Sequence, residues 1–285
     1  MIRKLVIAVI TALALVAGAL LCTLIWQGQR KPDTTGQYVA LGSSFAAGIG
    51  LGPRDPKSPW VCMRSVNGYP GQLARLTGLS LVDMSCSGST TSHILDGGQM
   101  FLGPQIAAIG PMTRLVTITS GGNDVGYIGD LMQASGRAGV LGKLFWKGPK
   151  PAASRDYARV ADNFRKIIAA IHARAPRALV VLVSYPAVLP PEGICPALGI
   201  GPDMATTARE IAANLHTATR QAAEQSGAVF VDMGRASIGH DACSGEPWVN
   251  GAAPVTGTAF HPTQAGAQAT AHAVLDAITG KLKPA

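Results

Sequence analysis

Apolar positions fall into two regimes along this chain. Residues 5–26 form an unbroken apolar run of 22 positions, preceded by Arg3 and Lys4. A helix needs about 20 such residues to cross a bilayer. From residue 38 onward, short apolar runs alternate with longer stretches of helical period. Residues 38–41, 79–84, 115–119, 178–184 and 229–232 are short, rich in Val, Leu or Ile, and bounded by Gly, Ser or Pro. Strands buried on both faces of a parallel sheet read this way. Helices are predicted over 69–76, 155–173, 203–226 and 262–278. In 155–173, Val160, Phe164, Ile167, Ile168 and Ile171 share one stripe. Pro262 suits the first turn of the last helix. Residues 129–151, Gly-rich with basic and aromatic positions, predict an irregular flap. The alternation implies one α/β domain of three layers, built on five parallel strands.

The N-terminal run is expected to be an uncleaved signal anchor over residues 1–26, followed by a polar tether at 27–37 and the folded domain at 38–285. The alternative is a cleaved signal peptide, with Ala17-Gly18-Ala19 as a small-residue cutting site. Cutting there leaves an apolar stretch on the new terminus, which disfavours it. Leu21 before Cys22 argues against a lipoprotein site. Either way the domain is expected outside the cytoplasm; the uncleaved anchor makes the membrane a partner through the N-terminal helix, whereas cleavage would leave a secreted domain.

Composition excludes some classes. Hydrophobic residues make up 47% and charged residues 14%, so the chain is not disordered. The net charge of +8 comes from scattered residues, and aromatics are only 5%. Nucleic-acid binding would need clustered cations with stacking rings, so none is expected. Beyond the anchor stand Cys62, Cys86, Cys195 and Cys243, an even number that suggests two disulfides in any of three pairings. No Cys-x-x-Cys and no zinc-ligand spacing occurs, so no metal or cofactor is expected. Oligomeric state is left open.

Ligands of such sheets sit beyond the carboxyl ends of the strands. There the sequence places Gly42-Ser43-Ser44 after the first strand and Cys86-Ser87-Gly88 after the second. Gly121-Gly122-Asn123-Asp124 follows the third, and His261-Pro262 comes after the fifth. A hydroxyl, a glycine amide, a side-chain amide and an imidazole then meet on one rim. Ester hydrolysis needs a nucleophile, a base within reach, and donors for the tetrahedral oxyanion. Ser44 fits the nucleophile and His261 the base. The N–H groups of Ser44 and Gly88 and the side chain of Asn123 fit the oxyanion hole. Each residue alone fits a bland reading as well: a small-residue turn, a glycine with positive φ, an Asn in a turn. Asp124 reads as a brace for its loop. Among the other histidines, His172, His216 and His272 fall in helical segments, while His93 and His240 lie in loops.

Taken together, these blocks resemble the SGNH (GDSL-like) hydrolase family, and more closely its secreted actinobacterial esterase/lipase branch. The matching stretches are 38–48, Arg64-Ser65, Tyr69-Pro70, 86–90, 121–124, Ser184-Tyr185-Pro186, 239–243 and 261–263. The resemblance implies an α/β, flavodoxin-like three-layer α/β/α sandwich with a five-stranded parallel sheet. It also implies a serine esterase or lipase acting on a small-molecule or lipid ester, and disulfides Cys62–Cys86 and Cys195–Cys243. The chain departs from the family at two positions. The family's Asp before the nucleophile is Ser43 here, which makes Ser43 a rival nucleophile and changes how the turn is braced. The usual triad Asp is Thr258, whose backbone carbonyl is expected to orient His261 in a dyad, in preference to Asp232 or Asp241.

Three other readings compete. An α/β-hydrolase elbow is suggested by Gly42-Ser43-Ser44-Phe45-Ala46 with Asp232 before His261, but leaves Asn123 unexplained. Acyl transfer would use the same residues with an acceptor other than water. A non-catalytic envelope-binding protein on a degenerate hydrolase fold is suggested by the missing Asp alone.

Overall fold

The computed structural model describes residues 2–139 and 146–282. Helix α1, Ile2–Gly28, meets the domain at its C-terminal end and leaves its apolar side chains largely exposed. The domain begins with strand β1, Tyr38–Gly42, and the short helix α2, Ser44–Ala47. Then come α3, Tyr69–Thr77; β2, Leu81–Asp83; α4, Thr91–Asp96; and β3, Leu115–Thr119. Helix α5 is Tyr127–Ala134, followed by α6, Tyr157–Arg174, and β4, Leu179–Val183. The chain closes with α7, Pro202–Gln225; β5, Val229–Val231; α8, Met233–Ala236; and α9, Gln264–Ile278.

All five strands are parallel, in the order β2-β1-β3-β4-β5. Period-two alternation divides the core between the two faces. Val39, Leu41, Val116, Ile118, Val180 and Leu182 pack with the stripe of α6 and with α7. Tyr38, Ala40, Leu115, Val181, Val183 and Val231 pack under α3 and α9. This is the expected flavodoxin-like sandwich. Strand order reverses between β1 and β3, and a crevice opens at such a switch point. The turns after these two strands carry Ser44 and Asn123.

Two expectations need correction. The last helix starts at Gln264, capped by the Thr263 hydroxyl, which accepts the Gly266 N–H at 3.1 Å. Pro262 lies before it and pairs with Val249 in an antiparallel bridge, so it is extended and outside the first turn. The flap expected at 129–151 starts inside α5, whose last residue is Ala134. Residues 140–145 of it lie outside the described residues, and 146–151 are irregular.

Gly42 ends β1 with φ +141, and a Cβ there would collide with the Thr119 carbonyl across the sheet. Gly42→Ala is therefore expected to cost more than about 1 kcal/mol, since the strain comes on top of a clash with backbone. Urea unfolding should show a lower midpoint at constant slope.

Candidate active site

Ser44 is the first residue of α2, directly beyond β1. A first-turn N–H has no acceptor within its own helix. Ser44 Oγ stands 2.8 Å from His261 Nε2, and each residue is only 7% exposed. His261 Nδ1 lies 2.7 Å from the carbonyl oxygen of Ala259. A carbonyl only accepts, so Nδ1 carries the proton and Nε2 offers its lone pair to Ser44. Burial lowers the imidazole below its ordinary value of 6.5, and the bond to Ala259 pulls it part of the way back.

The expected acceptor, the carbonyl of Thr258, is not the one used. It closes a turn by accepting the His261 backbone N–H at 3.2 Å, and it also accepts Asn250 Nδ2 at 3.2 Å. The carbonyl left inside the turn, that of Ala259, faces the ring. Phe260 supports this turn with φ +56 and a fully buried side chain. Such a backbone costs about 1–3 kcal/mol and persists only where its surroundings hold it. Here Phe260 N–H donates to Gly251, and the His261 carbonyl accepts Asn250 N–H at 2.9 Å.

Neither alternative carboxylate reaches His261. Asp232 pairs with His216 Nε2 at 3.0 Å and accepts the Arg235 N–H. Asp241 accepts the Cys243 N–H at 2.9 Å. The loop histidines are engaged too. His93 closes a capping box with Thr90, and His240 stacks on Trp248 with Nδ1 at the Glu246 carbonyl.

Ser43 points away from His261. Its Oγ lies 3.0 Å from the Tyr185 hydroxyl and 3.4 Å from the Thr119 carbonyl. The Tyr185 hydroxyl also accepts the Gly122 N–H at 3.2 Å. One half-buried phenol thus ties the Ser44 turn, through Ser43, to the Asn123 loop. Burial pushes that phenol up to about 12, so it stays protonated.

Gly88 adopts φ +83 in a turn closed by Ser89 N–H to the Cys86 carbonyl, 3.0 Å. Ser87 N–H is taken by the Cys62 carbonyl. Asn123 Nδ2 donates to the Ser89 carbonyl at 2.8 Å, leaving its second amide hydrogen for another acceptor. Asp124 braces the same junction, taking the Thr91 hydroxyl at 2.5 Å and the Thr91 N–H. The disulfides are Cys62–Cys86, beside the Gly88 turn, and Cys195–Cys243.

Sequence reasoning gave no role to Gln105. Its buried amide accepts the Gly42 N–H at 2.8 Å and donates to the Gly42 carbonyl and to Ser89 Oγ, at 3.0 and 2.9 Å. It clamps the Ser44 and Gly88 turns together. Its signal was a lone polar residue heading Gln-Ile-Ala-Ala-Ile. Arg64, also buried, donates to the Ser85 carbonyl and pairs with Asp55 at 3.4 Å. A cavity of about 380 Å³ lies behind Tyr185, lined by Tyr127, Leu215, His216, Asp232 and Arg235 among others, without either Ser44 or His261.

Tyr185→Phe should leave the Gly122 N–H without its partner and the Ser43 hydroxyl with only the Thr119 carbonyl, at 3.4 Å. The expected loss is about 1–3 kcal/mol, read from chemical denaturation.

Comparison with known proteins bears on this geometry. The GDSL-like lipase/acylhydrolase family matches residues 40–269. "Lipase 2" of Streptomyces coelicolor is 33% identical over 261 residues, covering 87% of each chain. A lipase of Streptomyces rimosus is 30% identical, covering 80% of this chain and 81% of its own. The crystal structure of an extracellular lipase from Streptomyces rimosus superposes with a TM-score of 0.69 at 29% identity, over 84% of this chain and 98% of that one. Phospholipase A1 from Streptomyces albidoflavus superposes at 0.66 and 27%, over 87% and 99%.

Proposed function

The chain belongs to the GDSL-like lipase/acylhydrolase family, in its actinobacterial lipase branch, and is a carboxylic ester hydrolase; from that premise we propose that it cleaves acyl esters with a Ser44–His261 dyad, outside the cytoplasm. The observation that carries the proposal is the 2.8 Å approach of Ser44 Oγ to a neutral, buried His261 Nε2.

In this mechanism Ser44 Oγ bonds to the acyl carbon while its proton passes to Nε2. The carbonyl oxygen becomes an oxyanion, held by the N–H groups of Ser44 and Gly88 and by the free amide hydrogen of Asn123. Nε2 returns the proton to the departing alcohol, leaving an acyl-Ser44 ester. Water then repeats the sequence, and Ser44 is released with a free acid. The Ala259 carbonyl keeps the ring in the required tautomer throughout. It contributes a dipole where a triad contributes a charge. The substrate class is a lipid or small-molecule ester. Two disulfides and an apolar N-terminal helix support an extracytoplasmic, membrane-anchored setting.

Ser44→Ala and His261→Ala should each lower kcat/KM for a chromogenic acyl ester by about 10⁴-fold or more while remaining folded. Ser44→Ala should also abolish labelling by a fluorophosphonate. Asp232→Asn should stay within a few-fold of the parent, and a loss as deep as that of His261→Ala would replace the dyad with a triad of other geometry. Asn123→Ala should cost about 10²–10³ in kcat.

The pH profile follows from burial. His261 must be neutral to act, and its folded value lies below 6.5. The acid limb of kcat/KM should therefore turn below pH 6.5, and a limb above it would contradict a buried neutral base. The folded state binds fewer protons than the unfolded one in the window between that lowered value and 6.5. There this residue's contribution to stability rises with pH, and it is lost as pH falls through the window.

A further inference from the structure

Three of the four non-glycine residues with positive φ among the described residues are Met63, Met100 and Phe101, at +51, +46 and +65. The fourth, Phe260, serves the His261 turn. Positive φ is uncommon outside glycine. Here the strained residues are large, apolar and exposed, at 47%, 56% and 56%, and Trp60, three residues before Met63, is 42% exposed. Single exposed apolar side chains are ordinary, but a cluster held in strained backbone needs a reason.

The cluster lies where α1 meets the domain. Trp60 N–H donates to Gln27 Oε1 at 3.3 Å. Gly28, the last residue of α1, packs directly on the Phe101 carbonyl. Around the same end, the Arg30 guanidinium covers the Trp26 ring at 5.1 Å. A Trp with an adjacent cation at the end of an apolar helix marks the membrane–water boundary. Trp60 and Phe101 thus stand at the level where α1 would leave the bilayer.

The same segments hold the oxyanion turn. Gln99 Nε2 donates to the Ser87 carbonyl at 2.7 Å and lies close to Gly88. Cys62 is bonded to Cys86, and its carbonyl takes the Ser87 N–H.

We propose that Trp60, Met63, Met100 and Phe101 form a lipid-docking surface that rests in the headgroup region of the bilayer crossed by α1, and that it sets the Gly88 side of the active site against ester groups at that depth. The occupant is a lipid bilayer, argued from the continuity of this surface with the end of α1. The inference rests on the reading of α1 as a retained anchor, and it deepens the substrate assignment from esters in general to esters lying at a membrane surface.

The test uses the full chain reconstituted in phosphatidylcholine vesicles carrying bromine on the upper acyl carbons, with tryptophan emission as readout. Comparing the parent with Trp60→Phe and Trp26→Phe isolates the two rings. Both Trp60 and Trp26 are expected to be quenched. Quenching of Trp26 without Trp60 overturns the docking surface and keeps the anchor; quenching of neither overturns both. A second measurement takes Phe101→Ser and the ratio of turnover on a vesicle-borne ester to turnover on a water-soluble ester. The ratio should fall about tenfold, the order expected for losing one buried aromatic contact. An unchanged ratio overturns the proposal. Soluble-ester turnover by the parent separately reports the hydrolase reading. Concentration-dependent dimerisation that buries Trp60 from the quencher would reassign the surface to a second copy of the chain.

Discussion

The hydrogen bond between Ser44 and His261 joins residues 217 positions apart, and the architecture around the rim holds its two ends in register. One end is fixed by the sheet. Gly42 pairs with Thr119, and only a residue without Cβ lets β1 turn there into α2. The other end is fixed by a loop of irregular backbone, pinned by Asn250, Gly251 and Val249 and anchored nearby by Cys195–Cys243. A buried bond at 2.8 Å tolerates little error in either. The cost of a left-handed Phe260 is thus spent on placing an imidazole.

The rim is also cross-linked sideways by neutral groups. Gln105 joins the Ser44 turn to the Gly88 turn, Tyr185 joins it to the Gly122 backbone, and Asn123 reaches the Ser89 carbonyl. Each is buried or partly buried and held by at least one hydrogen bond, so the donors around Ser44 are arranged before any substrate arrives. Preorganised donors stabilise a developing charge without reorganising at the moment of reaction.

Much of this was legible in the sequence, for identifiable reasons. Strands buried on both faces announce themselves as short apolar runs, and all five lie where those runs stand, with their ends shifted by up to two residues. The chemical residues Ser44, Gly88, Asn123 and His261 sit immediately beyond strands or in a His-Pro turn, where local composition marks them. What escaped depends on three-dimensional closure. Which carbonyl faces His261 is decided by the twist of one turn, and side-chain identity at 258 or 259 does not encode it. Gln105 and Tyr185 act through partners far away in the chain, 63 residues in the case of Gln105 and Gly42. Pro262 favours a helix start by local rule, yet bridge pairing with Val249 claims it.

The Ala259 carbonyl has one property that a carboxylate side chain lacks: it belongs to the main chain. No codon change at 258 or 259 deletes it, as long as the turn keeps its shape. The side chain at 258 therefore takes no part in orienting His261. The demand falls on Phe260, Asn250 and the residues that keep the turn closed. In this chain the element that orients His261 is a backbone shape, and the imidazole is held in place with no acid at 258.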